Sequence, residues 1–297
     1  MTSGFIPEQF DPGSLKKNTK DPRTLFGLIM SGIAGTFMVM AIIPLILILL
    51  YLLIQGISSI SPSVFVELPP PPMVDGGGFG NAILGTVIMV SIATLISVPI
   101  GVLAAIFLSE YSGGQLANWI RFATNVLSGV PSIIIGVFVY GAIVLSFKTY
   151  SAWAGGFALS ILMLPIIVRT TEEALKLIPQ EVRQASVGIG ANDFQTILFV
   201  VLPAAIPAIL TGVTLAIARA AGDTASLMFT ALFTQFWPNW ENKLAEPTAS
   251  LAVLVFNFAI VPFKNQQQLA WAAAFILVLL VLLTSVISRL ATSKRQF

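Results

Sequence analysis

Long apolar runs separated by short clusters of charge set the pattern of this chain. Residues 24–66, 76–109, 122–147, 149–168, 194–218, 224–240, 247–263 and 265–288 carry no charged side chain. A helix crosses the hydrocarbon core of a bilayer with roughly 20 apolar residues. Five runs therefore hold a span, at about 27–54, 82–108, 122–147, 151–168 and 266–289, and the region 194–240 holds at least one more. That gives six spans. Eight follow if 224–240 and 247–263 also cross, and either count returns both termini to the same side. The expected fold is all-α and polytopic, with six transmembrane helices over 25–291 between an N-terminal tail, 1–24, and a C-terminal tail, 292–297.

Composition agrees with that class. Hydrophobic residues make up 56% of the chain and charged residues 9%, against about a quarter charged in soluble domains. The first apolar run is too long for the core of a cleaved signal peptide and reads as a retained span. Neither Cys nor His occurs, which removes disulfides, the usual proton shuttle and the commonest metal ligand, and disfavours a zinc or triad enzyme. Lys and Arg set the orientation. With the N-terminus inside, eleven lie on the inner side: Lys16, Lys17, Lys20, Arg23, Arg121, Arg169, Lys176, Arg183, Arg289, Lys294 and Arg295. Only Lys148, Lys243 and Lys264 lie outside. All five Trp residues fall near span ends, where an interfacial aromatic belt belongs.

The outer connection 55–81 contains Pro69 to Pro72, a stiff extended strut, and the glycines of 76–80. No Gly-Lys-Ser/Thr follows those glycines, so they form no nucleotide-phosphate cradle. Asn81 is placed to cap the next helix.

The polar island Arg169 to Asp193 is too long for a simple turn. Leu175, Ile178, Val182, Ala185 and Ile189 recur at spacings of three and four, one apolar stripe on a helical face. Pro179 suits the start of a second helix, Gly188 and Gly190 its end, and Asn192 or Asp193 the cap of the next. The expectation is two short helices meeting at an angle. They would either lie on the lipid surface or seat in a groove of a peripheral protein.

Arg219 and Asp223 interrupt the next apolar stretch one helical turn apart, with opposite sign. Counted from Pro203, Arg219 lies about 24 Å along a helix at 1.5 Å per residue. A lone Arg at such a depth costs at least about 2.5–3.5 kcal/mol, so a partner is expected. The two readings are a structural ion pair, or an arginine beside a permeation path whose guanidinium grips an oxyanion. Gly212, Ala216, Ala220 and Thr224 form a small-residue face suited to close helix contact, expected against a partner subunit. Gly129, Pro131 and Ser132 predict a bend in the third span, either a simple kink or a break that lines a cavity.

The segment Gln184-Ala-Ser, three residues, Gly190, nine residues, Val200-Val-Leu-Pro203 resembles the EAA loop of ABC-importer permeases. Gln184 stands where that pattern has Glu, Ser186 where it has Ala and Val200 where it has Ile. Three more segments make the chain similar to the phosphate-importer permeases in particular: SGVPSIIIG at 128–136, PAAIPAILTG at 203–212 and ARAAGDTASLMFTA at 218–231. Asp223 stands where that family usually has Glu. The resemblance implies the type I ABC-importer permease fold, with a cytoplasmic coupling helix pair over 169–193. Glu181, Gln184, Ala185, Ser186 and Gly190 would form the loop that docks on an ATPase, and Arg219, Asp223, Thr224 and Ser132 would border the substrate path. It further implies a bacterial cytoplasmic (inner) membrane location with both termini cytoplasmic. The partners would be a second, homologous permease (PstC-like), a dimeric ATPase carrying ATP and Mg (PstB-like) and an external phosphate-binding protein (PstS-like), with no cofactor on this chain. A molybdate or sulfate importer is the nearest alternative. A self-contained secondary transporter would need its own intramembrane ion sites, for which Arg219 and Asp223 are thin equipment, and usually an internal repeat, which the sequence does not show.

Overall fold

The computed structural model describes residues 22–111, 114–242 and 244–293. Most of the N-terminal tail, the end of the C-terminal tail and Lys243 lie outside them. The chain divides into two compact units, 1–51 and 52–297. Helix α1 (Pro22–Ser58) provides the described part of the first, with exposed apolar side chains along its length. The second unit starts with the last turns of α1, where Gly56 packs on Phe275 and the Trp271 carbonyl.

After α2 (Ser63–Val66), the unit is built around three long helices: α3 (Gly80–Glu110), α7 (Ala152–Lys176) and α10 (Leu202–Ala221). Met89, Ala93, Met163, Ile167, Ala205 and Ala216 are buried between them. Among the described residues, four helices besides α1 are each long and apolar enough to cross a membrane: α3, α7, the continuous helix Asp193–Ala221 and Lys264–Leu290. A sixth span is the bent pair of α4 (Gln115–Gly129) and Ser132–Phe147, which meet at 105°. That second limb contains α5 (Ser132–Val139), a π-helical turn at Tyr140–Val144, and α6 (Leu145–Phe147).

The eight-span count is wrong. Within 224–240 only α11 (Ala225–Thr230) forms, and within 247–263 only α12 (Leu251–Ala259). At 1.5 Å per residue these reach about 9 and 14 Å, far short of a bilayer. Helix α12 instead packs with α13 (Lys264–Ser293) over Leu251, Leu254, Phe258, Ala272 and Ala273, a second core that also takes in Val64 and Phe79.

Other expectations also change. Helix α7 continues unbroken to Lys176, so the first of the two short helices is an extension of the span. Asn81 lies inside α3 rather than at its cap, and its Nδ2 donates to the carbonyls of Thr234 and Phe236 at 3.1 Å each. Gly78 and Gly80 before it serve close packing, since a Cβ on either would collide with the Ser63 or Phe65 carbonyl. The amides of Gly78, Phe79 and Gly80 donate to the carbonyls of Leu68, Val64 and Glu67 and are engaged within the chain. The proline strut is not a bare connector either: Pro69 and Pro70 are buried, and Gln266 donates to the Pro70 carbonyl at 3.0 Å. Finally, the small-residue face of α10 meets α7 of the same chain. A Cβ on Gly212 would collide with Thr170, and Ala216 and Ala220 are fully buried. Small side chains there let two helices of one unit approach closely, so no partner subunit is needed to explain them.

Candidate functional site

The polar island forms a compact projection at one end of the unit. Helix α7 ends at Lys176, the chain turns through Leu177–Pro179, and α8 (Gln180–Gly188) follows. Gly190 then takes φ +93°, a left-handed conformation that favours glycine. Asn192 caps α9 (Asp193–Thr196) with a full capping box: its side chain accepts from the Gln195 amide, and the Gln195 side chain accepts from its own amide.

The predicted apolar stripe splits at the turn. Leu175 is buried in the bundle and Ile178 half-buried, whereas Val182, Ala185 and Ile189 are exposed. Val187 and Phe194 are exposed nearby. Of the predicted loop residues, Glu181, Gln184, Ala185 and Gly190 face outward. Ser186 points inward and shares a hydrogen bond of 3.0 Å with Thr196 of α9. The projection therefore offers one outward apolar-and-polar surface while its inner face is tied to the helix that leads into α10.

That helix widens to a π-helical turn at Ile197–Val201, just before Leu202-Pro203. Pro203 has no N–H for the carbonyl four residues back, and its ring would press on it, so the backbone opens. Arg219 stands at the far end of α10, exposed. It borders a small cavity of about 30 Å³ with Ser128, Val130, Ile135, Leu162, Pro165 and neighbours. This is the break between α4 and α5. Val130 and Pro131 are extended there, as the residue before a proline prefers. Ser132, the first residue of α5, is half-buried.

The expected Arg219–Asp223 pair does not form: no ion pair to Arg219 exists among the described residues. Helix α10 ends at Ala221, so the one-turn spacing that would align the two is lost beyond it. The Asp223 carboxylate instead accepts from the amide of Ser226 at 3.0 Å and from its hydroxyl, fixing the start of α11. Thr224 donates to the Ala252 carbonyl at 3.4 Å, tying the same turn to α12. Helix α11 crosses α5 at Gly136, where a Cβ would lie 2.7 Å from Ser226 Cα. The structure thus brings Arg219 to the break, while Asp223 and Thr224 brace the turn after it.

Sequence reasoning missed the polar contacts at the base of the projection. Arg183 pairs with Glu110, and Arg121 with Glu172 at 3.0 Å. One signal was present. Glu110 closes the charge-free run 76–109 on the side where basic residues collect.

A family model described as binding-protein-dependent transport system inner membrane component matches residues 97–295. The phosphate transport system permease protein PstA of Yersinia pestis is 42% identical over 253 residues, 85% of either chain. The chain belongs to the PstA family of transport permeases. A second PstA, from Haemophilus influenzae, is 40% identical over 263 residues, 88% of this chain and 92% of the relative. PstA 1 of Mycobacterium tuberculosis is 32% identical over 294 residues, 93% and 92% of the two chains. Among solved structures, a bacterial ABC transporter that imports the acidic polysaccharide alginate aligns with TM-score 0.60 at 16% identity, covering 89% of this chain and 98% of that one. The MetNI methionine ABC transporter, inward facing, aligns with TM-score 0.59 at 20% identity over 73% and 95%. At such identities these show the fold alone, that of type I ABC-importer permeases. This PstA-family chain is a multi-pass inner-membrane protein, and the matched residues take in both the projection and the helix break.

Proposed function

We propose that this chain is one membrane subunit of an ATP-driven importer of inorganic phosphate. The observation that carries the substrate is its 42% identity, over 85% of its length, to a phosphate transport system permease. Substrate arrives on an external binding protein and ATP is hydrolysed on a dimeric ATPase. A second, homologous permease completes the path. The termini and the projection 169–193 face the cytoplasm, in keeping with the excess of Lys and Arg on that side.

In this reading the outward surface of α8, with Glu181, Gln184, Ala185 and Gly190, docks on the ATPase. Arg219 borders the substrate path. Its exposure at the helix break, with no carboxylate paired to it among the described residues, leaves the guanidinium donors available to an oxyanion. The charge that is costly alone in the membrane becomes favourable while phosphate is beside it. Ser132 lies at the same break. Asp223 and Thr224 hold the turn that positions it from the other side.

The test is phosphate uptake by the reconstituted complex. Arg219→Gln is expected to lower uptake at least about tenfold, roughly the worth of a charge-assisted contact, while the subunits still co-purify. Uptake at the normal rate would reduce Arg219 to scaffold. Uptake of molybdate or sulfate in preference to phosphate would refute the substrate.

A further inference from the structure

Two arginines lock the ends of α3 and α7 together crosswise. Arg183, from α8, pairs with Glu110 of α3 and donates through Nη2 to the Leu175 carbonyl of α7 at 2.9 Å. Arg121, from α4, makes the mirror arrangement. Its Nε and Nη2 donate to Glu172 of α7 at 3.1 and 3.0 Å, and Nη2 also donates to the Leu108 carbonyl of α3 at 2.9 Å. Each central helix thus gives one carboxylate and one carbonyl of its last turn, where carbonyls lack a partner within the helix. A guanidinium can serve both at once because its donors form a fixed fork, which a lysine does not offer. Ser109 donates to the other Glu110 oxygen at 2.9 Å, and Lys176 to Glu172 at 2.6 Å.

We infer that Arg183 and Arg121 are positioning residues that make α8, α7, α3 and α4 one rigid body, so that a displacement of α8 is delivered to the α4–α5 break beside Arg219. The chain alone would not do this. Helix α8 is nine residues long and joins α7 through a three-residue turn, a connection that could absorb a push by bending. The two forks bypass it, one from α8 to α3 and one from α3 and α7 to α4. Beyond α4 the backbone is extended at Val130–Pro131, so relative movement is taken up there. Ser128 and Val130 line the same cavity as Arg219, so moving α4 changes what surrounds the arginine.

This inference rests on the transport reading above, and two measurements test it. The first is phosphate imported per ATP hydrolysed by the complete complex in liposomes. Arg183→Gln is expected to co-purify with the ATPase and hydrolyse ATP, but to import about tenfold less phosphate per ATP, a typical size for coupling between sites. An unchanged ratio overturns the inference. The second keeps both arginines. The chain has no cysteine of its own, so spin labels can be placed through Asn118→Cys on α4 and Gln180→Cys on α8. Their separation is expected to stay constant between nucleotide-free and ATP-bound complexes, while that between Asn118→Cys and Phe138→Cys on α5 changes. A shift of about 5 Å, one helical turn, between α4 and α8 overturns the inference even if Arg183→Gln does not assemble. Failure of the unmodified complex to import phosphate would instead strike the transport reading, and the label distances would still judge the rigid body.

Discussion

Asp223 shows how little a residue's type says about its duty. A carboxylate four positions from an arginine invites an ion pair, yet its oxygen caps the first turn of α11 through Ser226. In that contact the carboxylate serves as a hydrogen-bond acceptor. Asp223→Asn keeps an oxygen acceptor and is expected to leave thermal stability within a few tenths of a kcal/mol of the parent, whereas Asp223→Ala should lose about 1 kcal/mol. Melting of the purified protein in detergent separates the two. Equal losses for Asn and Ala would mean that the charge itself matters. Ser226, the partner that sets this geometry, carried no signal in the sequence.

The elements were legible where local chemistry decides them. The bend at Gly129–Pro131, the glycine that ends α8 and the cap at Asn192 all follow from residues next to the feature they cause. What could not be read depends on distant partners. Arg121 and Glu172 are 51 positions apart, and Arg183 and Glu110 are 73 apart, spacings with no periodic signature. The small-residue face of α10 was visible as a face, but not which helix would meet it. Contact between α5 and α11 was likewise invisible, and it makes a sharp comparison. Gly136→Val would press on the Ser226 backbone and is expected to cost about 1–3 kcal/mol through overpacking. Gly129→Ala, with nothing within 4 Å of its Cβ, should leave stability unchanged or slightly raised. Denaturation of both variants in detergent decides it; a Gly136→Val protein as stable as the parent would mean that α11 is free to move off α5.

At the scale of the whole molecule, hydropathy located the spans, and charge gives the direction proposed for them. Direction can be checked because the chain lacks cysteine. A thiol at Gln184→Cys is expected to react with an impermeant reagent only after the membrane is opened, and one at Met73→Cys, on an 85% exposed site, in sealed spheroplasts. The reverse pattern would invert the topology and with it the assignment of the projection to the ATPase. The widened turn at Ile197–Val201 bears on how the chain tolerates changes in its length. Such a turn holds one residue more than an α-helix would in the same rise. Removing one residue there would close the turn and leave both flanks in register, Thr196 still on Ser186 and Gly212 still on Thr170, at the cost of about 3 kcal/mol for Pro203 in a regular helix. The same deletion a few residues later would rotate everything beyond it by about 100° and swing Arg219 away from the break. Among natural or engineered variants, a change in length within this helix is therefore expected at Ile197–Val201 and nowhere along α10.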